Sequence, residues 1–96
     1  MSERREWDEK KRLSNLAKHN VDFNRVASIF DGRVVAWPLP QRDYGEDRFA
    51  ALGIVEELIF YVVYTWRGDR RRIISARKAG RRERERYHKS VIQRSS

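Results

Sequence analysis

The chain has 96 residues, 40% of them hydrophobic and 38% charged, with no cysteine and a formal net charge of +8. That length holds a single domain, 1–96, with one modest core. The lack of cysteine excludes a disulfide framework, a thiol nucleophile and a thiolate metal site.

Residues 4–7 read as a short strand. Asp8 then offers an N-cap, opening a helix that runs to Lys18 or His19. Leu13, Leu16 and Ala17 fall on its apolar side, and Asn20 stands where a left-handed residue ends a helix. Asp22 caps a second helix, in which Phe23, Val26, Ala27 and Phe30 recur at i, i+3, i+4 and i+7 before Asp31-Gly32 ends it. Residues 33–37 form a strand stopped by the prolines of WPLPQ, and QRDYGED (41–47) is a polar turn segment. Residues 48–54 suit a strand, and Glu56-Glu57 makes the next turn. Residues 58–65, β-branched and aromatic, read as the central strand. Their longest apolar run, Leu58 to Tyr64, is too short to span a bilayer. Gly68-Asp69 marks a hairpin, 70–76 is the last strand, and a charged helix runs from 80 to about 92. The fold expected is α+β: two N-terminal helices, a four-stranded antiparallel meander and a C-terminal helix packed on the sheet. Strict alternation in the last strand puts Ile73 and Ser75 on the core face and Arg72, Ile74 and Ala76 on the other.

Charge is distributed unevenly. Residues 1–65 carry 10 Lys/Arg against 11 Asp/Glu, whereas residues 66–96 carry 12 against 3. The densest run, RRRIISARKAGRRERERYHK, passes through a strand and a helix, which would hold its cations in place. Fixed charge of this kind suits a polyanionic partner such as a nucleic acid or an acidic protein; a solubilising surface competes with that reading. The N-terminal MSERREWDEKK lacks the apolar segment of a secretory signal, so a cytoplasmic protein without membrane attachment is expected.

Two constellations could carry chemistry. Lys11, Asn15, Lys18 and His19 fall within about 100° of arc on the first helix, opposite its apolar side. Together they could grip a phosphate and move a proton; the alternative is a solvated face with His19 near the C-terminal end of the dipole. On the last helix, Glu83, Tyr87 and Val91 repeat every four residues and would face the sheet, while Arg81, Glu85, His88 and Lys89 point away. Glu83 is then half-buried among arginines, paired with a cation such as Arg77 or acting as a base. Tyr87 is core, proton donor or stacking surface. Trp66 could stack on a base or close the hairpin core. The carboxylates and the two histidines show no metal-ligand spacing, and no phosphate loop or serine elbow is present, so neither metal nor cofactor is expected.

In order and spacing, EWDEKKRLSNLAKHNVDFNRVASIFD, YGEDRFAALG and VVYTWRGDRRRIISARKAGRRERERY resemble the BrnT toxins of bacterial type II toxin–antitoxin modules, from Trp7 to Tyr87. The marks are Trp7-Asp8, Lys11, Asn15, Lys18-His19, Val21 and Phe23, then Ile74-Ser75-Ala76-Arg77, Ala79, Glu83 and Tyr87. Asn20 replaces the family's usual glycine, and Gly80 its frequent threonine. The resemblance implies a RelE-like fold and a metal-independent endoribonuclease that arrests growth. It also implies a BrnA-like antitoxin with a ribbon-helix-helix part, whose complex with the toxin binds operator DNA. It leaves open whether a ribosome takes part. On that footing Arg77, with Arg72 or Lys11, holds the scissile phosphate; His19 or Glu83 is the base; Tyr87 or a lysine is the acid. Lys18, Arg72, Arg81 and Arg82 bind the RNA backbone. Two rival classes are a non-catalytic RNA- or ribosome-binding module and a DNA-binding regulator, the latter disfavoured by a second helix with one Arg and no Lys.

Overall fold

The computed structural model describes residues 4–40 and 45–95. Nine elements follow in chain order: β1 (Arg4–Trp7), α1 (Glu9–His19), α2 (Phe23–Val26), a 3-10 turn (Ala27–Asp31), β2 (Val35–Pro38), β3 (Phe49–Val55), β4 (Leu58–Arg67), β5 (Arg70–Lys78) and α3 (Arg81–Ser95). The first four residues of the expected turn segment 41–47 lie outside the described residues.

The expected four-stranded meander is present as β2 to β5, but the sheet has five strands in the order β1-β5-β4-β3-β2. β1 adds to the meander's β5 edge in parallel, Arg4 to Trp7 against Arg70 to Ile73. Strand character in residues 4–7 was legible locally. Their partner was not, because a parallel pairing is made far along the chain. β3 and β4 turn over Glu56 and Glu57, both at positive φ (51° and 71°), as a two-residue hairpin of primed type requires.

α1 begins where Asp8 caps it, the side chain accepting from the backbone N–H of Lys10 at 2.8 Å. That bond is the main cause of the lowered Asp8 pKa. Asn20 ends the helix in the left-handed region at φ 56°, its N–H donating to Leu16 O. The expected second helix, by contrast, lasts one turn before tightening. Phe23, Val26 and Ile29 are all buried, so the core follows a period near three rather than the i, i+3, i+4, i+7 pattern. Ala27 and Phe30, assigned to that stripe, pack only partly against the core. Gly53 makes room for the 3-10 turn: a Cβ there would stand 2.5 Å from that of Ile29.

The sheet is covered on both faces. On one, Val21, Phe23, Val26 and Ile29 pack against Ala51, Phe60, Val62, Tyr64, Ile73 and Ala76. Each of the larger side chains contributes about 1.5–3 kcal/mol by leaving water. On the other, Leu52, Ile59, Ala79 and Tyr87 form a smaller cluster with Val35, Trp37, Tyr61 and Val91. Ile73 and Ala76 face the same core, which strict alternation forbids. The cause is a bulge: Val63 pairs with Ser75 and Tyr64 with Ile73, leaving Ile74 as the extra residue. Ser75 and Ala76 therefore exchange the faces expected for them.

α1 also turns differently from its helical wheel. Asn15 is the buried residue, at 6% exposure, while Leu13 is 53% exposed. Leu16 is half-buried and Ala17 exposed. β1 stops at Ile73, so β5 would expose an open edge beyond it. The Asn15 amide closes that edge: its Oδ1 accepts from Ala76 N–H at 3.0 Å, and its Nδ2 donates to Ala76 O at 2.8 Å. The same Nδ2 donates to Val21 O at 2.9 Å, tying the α1–α2 connection to the strand.

Candidate functional site

The face of the sheet that carries α3 is built in rows. Tyr61 lies between Leu52 and Arg77, Val63 between Ala50 and Ser75, and Thr65 beside Arg72. The apolar cluster under α3 includes Leu52 and Tyr61 but not Val63 or Thr65. Beyond α3 that face borders a groove of ≈ 250 Å³. Its α1 wall consists of Lys11, Ser14, Asn15, Lys18 and His19; Ile74 and Ser75 of β5 line it below, and Arg48 stands before β3.

Lys11, Lys18 and His19, expected together on a polar helix face, are thus brought together in one groove. All are exposed, and their side chains make no hydrogen bond or salt bridge among the described residues. Asn15, expected to share their chemistry, instead holds the wall in register with β5. The bulge at Ile74 is what puts Ser75 on the groove side.

Arg77 lies two residues along β5 from Ser75 on the same face. Its Nη1 and Nη2 donate to Oε1 and Oε2 of Glu83, each at 2.8 Å. Its guanidinium lies 4.2 Å from the centre of the Tyr61 ring. Glu83 also accepts the backbone N–H of Gly80 at 2.8 Å, so one carboxylate caps α3 and fixes Arg77. The bond to Arg77 is the main cause holding the Glu83 carboxyl below its ordinary pKa, and the same bond raises Arg77. A carboxylate held this way is a weaker base.

Other expected site residues lie elsewhere. Arg72 Nη1 is 2.6 Å from Glu6 Oε2, an ion pair across the β1–β5 register. Tyr87 is 5% exposed, and its hydroxyl donates to Arg33 O at 3.2 Å, seating α3 against the chain before β2. Arg81 and Arg82 are exposed on the first turn of α3, Arg81 meeting Glu85 at 3.3 Å. Arg48, Ser14 and Ser75 line the groove without having been singled out as site residues. For Arg48 the signal was its place in YGEDRFAALG; only the β3–β4–β5 register carries it to α1's side. Among the described residues no three His, Asp or Glu gather as metal ligands. No helix among them is long and apolar enough to cross a membrane.

An imidazole beside two ammonium groups, with a fixed guanidinium on the same face of the sheet, can bind a phosphodiester and exchange a proton with a hydroxyl next to it. Residues 7–83 match the family model of the ribonuclease toxin BrnT of type II toxin–antitoxin systems. The chain belongs to the BrnT family. Membership makes it a toxin ribonuclease, with RNA as substrate and an antitoxin as partner. Among curated proteins none matches this BrnT chain. The matched segment spans every groove residue and closes at Glu83, so Tyr87 lies beyond it.

Proposed function

We propose that this BrnT toxin is a RelE-like, metal-independent endoribonuclease that cuts RNA in the groove between α1 and β5 and thereby arrests growth. Support comes above all from the convergence of Lys11, Lys18 and His19 on one groove wall. Cleavage through the 2′-hydroxyl needs a base for that proton, cations for the charged phosphorane and an acid for the departing 5′-oxygen. His19 is the base, because a neutral imidazole nitrogen can accept the hydroxyl proton and the imidazolium can later return it. Lys11 and Arg77 stabilise the phosphorane. Glu83 engages one N–H on each terminal nitrogen of Arg77 and Lys78 O accepts the other from Nη1, leaving Nε and one N–H of Nη2 for phosphate oxygens. Lys11 or Lys18 protonates the 5′-oxygen. Glu83 positions Arg77, and Tyr87 seats the helix that carries Glu83. Lys18, Arg48, Arg81 and Arg82 grip the flanking backbone, as does Arg72, which Glu6 braces.

The antitoxin is BrnA-like, with a ribbon-helix-helix part that takes the complex to operator DNA; an acidic segment of it would neutralise the groove. The test is cleavage under chelation. Purified toxin, free of antitoxin, degrades RNA in EDTA at an undiminished rate. Loss of cleavage in EDTA with recovery in Mg²⁺ would show a metal-dependent nuclease, and tight RNA binding without cleavage in either buffer would show a binding module.

A further inference from the structure

The tip of the β4–β5 hairpin carries a second aromatic and cationic surface outside the groove. Trp66 and Arg71 are partners across the hairpin. The Arg71 guanidinium lies 3.9 Å from the centre of the Phe30 ring, 4.7 Å from Tyr64 and 4.5 Å from Trp66. Trp66 stands edge-on to Tyr64, with ring centres 6.0 Å apart. It is nonetheless 40% exposed. Arg67 and Arg70 pair in register beside the turn, and both are exposed. Against these cations the turn sets one acid, Asp69.

A tryptophan serving only to close a hairpin would bury its ring against the core. Tyr64 does so at 4% exposure, two residues earlier on the same face. Trp66 instead offers an aromatic surface whose orientation is fixed by a guanidinium and a ring edge, with exposed arginines beside it. A planar ring bordered by cations matches one chemistry closely: an unpaired nucleobase and its adjoining phosphates. Arg71 lies three residues before Ile74 of the groove, about 10 Å along the strand. Trp66 and Arg71 share the face of Tyr64 and Ile73, opposite Ser75 and Arg72, so a single strand leaving the groove past Arg72 rounds the hairpin tip at Arg67 and Arg70 to reach this ring.

We propose that Trp66 is a stacking subsite for a nucleobase flanking the scissile phosphate of single-stranded RNA, with Arg67 and Arg70 on the neighbouring phosphates. This rests on the ribonuclease reading and adds to it a site that binds without reading sequence, since every base has a π face. It acts on affinity and leaves the chemical step alone.

The experiment compares the full chain with Trp66→Phe and Trp66→Leu. Leu keeps apolar bulk for the hairpin and removes the π face. The probe is a single-stranded RNA oligonucleotide with 2′-O-methyl ribose throughout, which cannot be cut. Trp66→Leu binds it about tenfold more weakly, Trp66→Phe stays near wild type, and binding quenches the tryptophan fluorescence of the wild type. With cleavable RNA, Trp66→Leu raises KM by a similar factor at unchanged kcat. A folded Trp66→Leu with wild-type affinity and KM overturns the proposal, as does a variant that loses antitoxin binding while its RNA binding is unchanged. Wild-type protein that binds the probe through Trp66 yet cuts no RNA supports the subsite and removes the ribonuclease reading instead. Should Trp66→Leu fail to fold, the exposed pair Arg67→Gln/Arg70→Gln carries the test. A shallower salt dependence of probe binding supports the proposal, and an unchanged one overturns it.

Discussion

Arg77→Ala lowers RNA cleavage by about 10²–10³-fold at saturating RNA, the loss expected when one fixed donor to a transition-state oxyanion is removed. The loss falls on kcat because Arg77 is already in place before substrate arrives. Glu83 holds both its terminal nitrogens, and Tyr61 lies against its plane. Arg77→Lys recovers little, since an ammonium lacks the planar fork that meets carboxylate and phosphate at once. Stability changes less than activity. The Arg77 side chain is 41% exposed, so solvent screening keeps the pair's contribution to roughly 1 kcal/mol or below. Glu83→Gln separates the two roles of the carboxylate. Its one remaining oxygen can serve both Gly80 N–H and Nη1 of Arg77, as Oε1 does in the wild type, while Nη2 loses its acceptor, so the fold persists while kcat falls partway. Thermal unfolding beside single-turnover cleavage checks both. An Arg77→Ala protein that is folded and fully active would remove Arg77 from the site.

Asn15→Ala is the largest expected effect on stability, about 3 kcal/mol. It strips the partner from the buried Ala76 N–H and from the carbonyls of Ala76 and Val21. Urea unfolding measures it. Asn15→Asp gives a sharper readout. A carboxylate at this position still accepts from Ala76 N–H but faces two carbonyl oxygens, so its folded pKa is raised above the unfolded value. Its protonated form, which can donate, is favoured by folding. The variant therefore gains stability relative to wild type as the pH falls through the acidic range and loses it as the pH rises to neutrality. A loss of stability independent of pH would mean that Asn15 acts by shape alone. Because the same amide holds the groove wall against β5, both variants also lower cleavage.

The ends of α1, the two tight hairpins and the Arg77–Glu83 pair were legible because they are local. Asp8 and Asn20 carry their capping geometry in their own side chains. Glu83 caps α3 three residues past Gly80 and meets Arg77 six residues before it. What failed to show was set by neighbours distant in sequence. A helical wheel assigns Asn15 to solvent because it counts an amide as polar. The open edge of β5 is what makes an amide the better core residue there. Alternation along β5 gave the wrong faces for Ser75 and Ala76 because nothing in IISA announces a bulge. Arg48 reaches the groove only through the register of three strands. Of the groove's lining, the polar arc of α1 had gathered Lys11, Asn15, Lys18 and His19; what it did not show is that Asn15 is buried and bonded to β5.

The most direct measurement is where a phosphate analogue of the substrate sits on the protein in solution. A nucleoside 3′-phosphate, which offers no bond to cut, is titrated into isotopically labelled toxin, and amide and imidazole resonances are followed. Lys11, Lys18, His19 and Ser75 should move together, with one saturation curve and a steep dependence on salt. Movement confined to Arg81, Arg82 and Glu85 on the outer side of α3, with the groove unperturbed, would contradict a phosphate-binding centre between α1 and β5.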